Sequence, residues 1–177
     1  MRRNAPFRVT FLGGLHWPPN AEGVRWFTEQ VWPAVARAVP GAVFTVIGKP
    51  SLTIPLRADS GARIEVTGYV SDLGRYIGET AAFVVPLETG AGMRVKILDA
   101  WCWGLPVIST TIGAEGLGVT DGEQLLLADT AELFAEQLIH VLQDHTLAAR
   151  LSDSGRATVE QRYDWRKVYR AWDQVYH

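Results

Sequence analysis

Of the 177 residues, 17 are Lys or Arg and 19 are Asp or Glu, 47% are hydrophobic, and one is a cysteine. A chain 20% charged and 47% apolar has enough surface to bury for one α/β domain, which excludes a disordered, collagen-like or coiled-coil chain. The formal charge of −2 argues against a domain built to grip a phosphate backbone, so nucleic acid is not an expected partner. The single Cys102 cannot form an internal disulfide, and His16, His140, His145 and His177 match no zinc spacing. A reducing, cytoplasmic setting without a bound metal or cofactor is expected. The longest charge-free run, Ala100 to Ala114, is broken by Gly104, Pro106 and Gly113, and no signal-peptide core follows Met1.

In chain order, strand-length apolar runs alternate with segments of helical period, the pattern of βαβ units around a parallel sheet. The strand candidates are Phe7 to Leu12, Val43 to Ile47, Ile64 to Thr67, Ala82 to Pro86, Pro106 to Ser109 and Gln124 to Ala128. Continuous runs such as Phe83-Val84-Val85 suit strands covered on both faces. After the first strand, Asn20 is placed as the cap of a helix with the stripe Val24, Phe27, Val31 and Val35, bent at Pro33 and ending before Pro40-Gly41. Another helix is expected from near Gly92, carrying Trp101, Cys102 and Trp103 as core residues. Asp129 and Glu132 read as a capping box ahead of Leu133, Phe134, Leu138, Val141 and Leu142. A helix over about Thr146 to Arg162 follows, and Asp164 caps a last one bearing Trp165, Val168, Tyr169, Trp172 and Tyr176. The expected fold is a doubly wound α/β domain with a parallel sheet of about six strands and extra C-terminal helices, spanning residues 1–177 as a single unit.

In such a sheet ligands bind beyond the carboxyl ends of the strands. Three loops lie there: Gly13-Gly14-Leu15-His16-Trp17-Pro18-Pro19-Asn20, Gly68-Tyr69-Val70 and Leu87-Glu88-Thr89-Gly90-Ala91-Gly92. Between Tyr76 and Ala149 the only Lys or Arg residues are Arg94 and Lys96, among ten Asp or Glu. Both sit at the start of the helix expected near Gly92, where a cation opposes the helix dipole by about 0.3 to 1 kcal/mol. A fold does not need that arrangement, whereas an anionic ligand does. Gly90 and Gly92 allow close backbone approach, the helix start offers N–H groups, and the two cations add charge, which together describe a phosphate or diphosphate site. Asp99, three residues beyond Lys96 and about 4.5 Å along the axis, suits a ribose diol. The plain alternative is a turn at Gly90 and Gly92 with a surface Lys96–Asp99 pair. The G-x-G-x-x-G series breaks at Val95, and no P-loop, G-x-S-x-G, H-E-x-x-H or D-x-D string is present.

The string from Pro86 to Gly116, PLETGAGMRVKILDAWCWGLPVISTTIGAEG, resembles the donor-binding segment of the family-four glycosyltransferases of the GT-B fold. Phe11 to Phe27, Val66 to Asp72 and Tyr163-Asp164-Trp165 resemble other parts of the same C-terminal, Rossmann-like domain. The resemblance implies a retaining, metal-independent transfer of a sugar from a nucleotide diphosphate, UDP or GDP, to a glycan, lipid or polysaccharide. It implies a separate N-terminal domain holding the acceptor, absent from these residues, and a lipid acceptor would bring the enzyme to the inner face of a membrane. By position, Asp99 matches the family's ribose-binding glutamate, while the preceding glutamate of the pair falls on Ala91, leaving Glu88 as a candidate replacement. The usual Arg and Lys after the first strand are absent from Gly14 to Asn20. Arg94 and Lys96, in a G-x-G-x-R-x-K pattern, are implied to stabilise the leaving diphosphate. Gly13, Gly14, His16, Tyr69, Val70, Gly90, Ala91 and Gly92 complete the implied donor site, with Tyr69 and Val70 near the base. A second reading is a non-catalytic module that binds a partner through the aromatic C-terminal helix.

Overall fold

The structure, a computed structural model, describes residues 7–50, 62–90 and 95–163. Six strands are present: β1 Arg8–Leu12, β2 Val43–Ile47, β3 Arg63–Gly68, β4 Thr80–Val85, β5 Val107–Ser109 and β6 Leu126–Leu127. Each matches a sequence expectation to within a few residues, β6 being the most shortened. They pair in parallel in the order β3-β2-β1-β4-β5-β6. The winding reverses between β1 and β4, so loops leaving these two strands diverge and open a crevice at their carboxyl ends.

The helices are α1 Pro18–Trp26, α2 Trp32–Ala38, α3 Gly74–Glu79, α4 Val95–Cys102, α5 Ala131–Gln143 and α6 His145–Thr158. A π turn, Phe27–Val31, joins α1 to α2, and another, Val159–Tyr163, extends α6. The break expected at Pro33 is this first π turn. Proline lacks an N–H and its ring crowds the carbonyl four residues back, so the ladder widens just before it. Strand alternation sends Val9, Phe11, Phe44 and Val46 to one face and Thr10, Thr45, Phe83 and Ser109 to the other. On the first face Phe27 packs among Phe44, Trp32 and Phe134 at centroid distances of 4.6, 6.1 and 5.6 Å. On the second, Phe83 meets Trp103 at 6.5 Å, and Gly155 of α6 lets Trp101 of α4 pack flush, since a Cβ there would lie 2.3 Å from the indole.

Several local expectations are corrected. Trp17, not Asn20, precedes the first helical residue, because Pro18 and Pro19 have no N–H to satisfy and start α1 ahead of Asn20. Thr130, not Asp129, caps α5 through the Leu133 N–H; the Asp129 carboxylate is occupied by the N–H and hydroxyl of Thr111. Leu133 faces solvent, unlike the four other members of its stripe. Cys102 is exposed rather than core, because the helix buries Ile97, Ala100 and Trp101 instead. The aromatic helix expected after Asp164 lies outside the described residues, as do Ala91, Gly92 and Arg94.

The amino end of the sheet is held by one cation. Arg8 Nη1 donates to Glu65 Oε2 at 2.5 Å and to the Thr45 hydroxyl, while Nη2 lies 3.2 Å from Glu79 Oε2 and the guanidinium covers the Tyr76 ring. These contacts close that end of the sheet, away from the loops at the carboxyl ends of the strands.

Candidate functional site

The loop leaving β1 is knitted to those leaving β2 and β3 by backbone alone. Gly13 N–H donates to the Ile47 carbonyl at 2.9 Å, Leu15 N–H to Lys49 at 2.8 Å, and Gly48 N–H to Gly68 at 3.1 Å. Glycine is required at Gly48, where a Cβ would sit 2.4 Å from the Gly13 carbonyl oxygen and 2.9 Å from Gly14 N. Gly14 N–H donates to no described residue.

Lys96, in the first turn of α4, reaches across the crevice to this loop. Its Nζ donates to Asn20 Oδ1 at 2.8 Å and lies 4.4 Å from the centroid of Phe11 on β1. Asn20 Nδ2 in turn donates to the Gly14 carbonyl at 3.0 Å. A Cβ on Gly13 would be 2.7 Å from Asn20 Nδ2 and 3.2 Å from Lys96 Nζ, so the glycine is what lets ammonium and amide lie against the backbone. Lys96 and Asp99 do not form the ion pair of the plain alternative. Asp99 is half-buried one turn along α4, and its carboxylate accepts no hydrogen bond from a described residue. Burial pushes its pKa above the usual carboxylate value.

The β4 loop forms the other wall. Gly23 of α1 packs on it, with a Cβ there placed 2.2 Å from the Pro86 carbonyl. The Thr110 hydroxyl donates to the Leu87 carbonyl, and that of Ser109 to Val85 at 3.2 Å, bracing the loop from β5. Glu88 and Gly90 are exposed at its tip, and Gly90 has a φ of 109°. His16 folds back over Gly14 and stays exposed; Tyr69, after left-handed Gly68, is 91% exposed, and Val70 beside it is half-buried.

The structure therefore brings Gly13, Gly14 and Lys96 into one cluster, with Asp99 one turn further along α4. Glu88 and Tyr69 are exposed on the neighbouring loops, and His16 folds over Gly14 of the cluster. Two members were not read from the sequence as site residues. Asn20 was assigned to a cap, although the two prolines before it already signal an earlier helix start. Gly48 follows β2 with no motif around it, so only the fold places it beside Gly13.

The doubly wound sheet, with a glycine loop, a lysine and a half-buried carboxylate at its switch point, has the architecture of the C-terminal domain of GT-B glycosyltransferases. The C-terminal domain of a glycosyl transferase group 1 family protein (LpcC) from Francisella tularensis superposes with a TM-score of 0.73 at 18% identity, covering 90% of this chain and 88% of that one. Anabaena Alr3699/HepE, solved with UDP and glucose, gives a TM-score of 0.77 at 16% identity over 97% of this chain and 48% of its own. The profile of the family "Glycosyl transferases group 1" matches residues 6–144, and the chain belongs to that family. An uncharacterized 44.6 kDa protein in the cps region of Klebsiella pneumoniae is 30% identical over 169 residues, 91% of this chain and 44% of that protein. The lipopolysaccharide core biosynthesis glycosyltransferase LpsE of Rhizobium meliloti (strain 1021) is 27% identical over 149 residues, 80% of this chain and 43% of its length. The chain thus spans less than half the length of these curated relatives.

Proposed function

We propose that the chain is the donor-binding domain of a retaining glycosyltransferase that moves a sugar from a nucleotide diphosphate to a glycan or lipid-linked acceptor held by a separate N-terminal domain. The observation that carries this reading is the Lys96 ammonium held 2.8 Å from Asn20 against the glycine loop at the sheet's switch point. An ammonium in the first turn of a helix opposes the dipole, a cost that an anion bound in front of it offsets. As the bond between the sugar's anomeric carbon and the diphosphate breaks, negative charge collects on the departing phosphate oxygen. Lys96, joined by Arg94 two residues earlier in the sequence and by the Gly14 N–H, stabilises that charge without a metal. Asp99 accepts from the ribose diol, and burial of its carboxylate without a partner suits a ligand hydroxyl that restores the missing hydrogen bond. Tyr69 and Val70 lie toward the base.

The similar Anabaena protein was solved with UDP, which makes UDP the first ligand to test. The curated relatives, one from a cps region and one in lipopolysaccharide core biosynthesis, direct the acceptor toward surface polysaccharide. Calorimetric titration of the chain with UDP, GDP and ADP tests the reading. One of the three binds, and Lys96→Ala weakens it roughly 10- to 100-fold, as expected for loss of a charge-assisted hydrogen bond. No heat at millimolar nucleotide, or an unchanged affinity in Lys96→Ala, overturns the site.

A further inference from the structure

We propose that Asn20 is a positioning residue that aims the Lys96 ammonium at the glycine loop before any ligand arrives; the inference rests on Lys96 being the diphosphate-binding cation. Chemistry fixes the orientation of this amide. Lysine only donates and a backbone carbonyl only accepts, so Oδ1 must face Lys96 and Nδ2 must face Gly14, as found at 2.8 and 3.0 Å. The amide is therefore polarised in one direction, from Lys96 Nζ through Asn20 to the Gly14 carbonyl. Asn20 is only 9% exposed, and the backbone around it is anchored by the buried Ala21, Gly23 and Val24 of α1, so the acceptor offered to Lys96 does not wander.

Three consequences follow from that placement. A lysine side chain has many rotamers, and restricting them in the free protein removes an ordering cost from ligand binding. The face of Phe11, 4.4 Å from Nζ, favours the charged form of the ammonium. By engaging the Gly14 carbonyl, Asn20 also turns a repulsive oxygen toward itself instead of toward a phosphate. A neutral amide suits this role better than a carboxylate, which would hold the lysine yet cancel its charge and repel both the Gly14 carbonyl and the ligand.

The chain has only three lysines, Lys49, Lys96 and Lys167, so each can be followed separately by mass spectrometry during amine acetylation of the ligand-free protein. Lys96 is expected to react several-fold more slowly than exposed Lys49, and Asn20→Ala to remove that protection at Lys96 alone. UDP affinity then falls roughly tenfold in Asn20→Ala. Combined with Lys96→Ala, the same substitution costs nothing further, a non-additivity that a merely structural residue would not give. Asn20→Asp, as a second variant, keeps Lys96 protected but still weakens UDP. Equal Lys96 reactivity in wild type and Asn20→Ala, or fully additive losses in the double variant, overturns the positioning role. Protection of Lys96 with no binding of UDP, GDP or ADP overturns instead the donor reading and the purpose it gives to the tether.

Discussion

Replacing Gly23 by alanine sets two effects of opposite sign against each other. Within a helix, alanine is favoured over glycine by about 0.8 to 1 kcal/mol, so an unhindered site would gain stability. At Gly23 the new Cβ falls 2.2 Å from the Pro86 carbonyl oxygen, well inside the 3.0 Å that Cβ atoms keep. The obstructing atom is backbone leaving β4, and α1 is fixed by fully buried Val24 and by Phe27 immediately after it, so neither side yields by rotating a side chain. Forcing an extra methyl into such a contact costs about 1 to 3 kcal/mol, and with backbone on both sides the upper part of that range applies. The net destabilisation is about 2 kcal/mol, which for a chain of this size lowers Tm by roughly 4 to 8 °C. Thermal unfolding followed by circular dichroism measures it. Because Asn20 lies one turn before Gly23 on the same helix, the displaced helix should also weaken nucleotide binding. A Gly23→Ala protein as stable as wild type, or more so, would refute the close packing of α1 on the β4 loop.

The other predictions concern the loop, the closed end and the acid. Gly48→Ala places a Cβ 2.4 Å from the Gly13 carbonyl and should reduce UDP affinity in calorimetry although Gly48 reaches no ligand. Arg8→Ala leaves Glu65 and Glu79 without their shared cation; both are partly solvated, so a loss of about 1 to 3 kcal/mol is expected by urea titration, with nucleotide affinity unchanged. Burial raises the Asp99 pKa above 3.8, so the ionised carboxylate costs stability in the folded state, a cost absent at low pH and growing as pH rises from 3.8 through the folded value. Asp99→Asn is therefore more stable than wild type at pH 7 and indistinguishable from it near pH 3, which thermal melts at the two pH values will show.

Much of the architecture was written locally. The β-branched and aromatic runs of β1, β2, β4 and β5 are buried on both faces, so their apolar continuity alone located them. The stripe Val24, Phe27, Val31 and Val35 is fully buried for the same reason, since helical period decides what faces the sheet. The edge strand β6, with only Leu126–Leu127, has less burial to announce it. Lys96 was legible because a cation at a helix start opposes the dipole. The partner of that lysine was not, because Asn20 lies 76 residues earlier and a single asparagine near a helix start reads as a cap. Likewise, what Gly13 and Gly48 exclude is set by atoms from other strands, which local sequence does not display.

The most direct measurement is the structure of the chain crystallised with UDP, or with whichever of the three nucleoside diphosphates binds. The account predicts diphosphate oxygens within hydrogen-bonding distance of Lys96 Nζ and the Gly14 N–H, with the ribose at Asp99. A nucleotide seated anywhere else on the sheet, or a diphosphate that leaves Lys96 untouched, would contradict it.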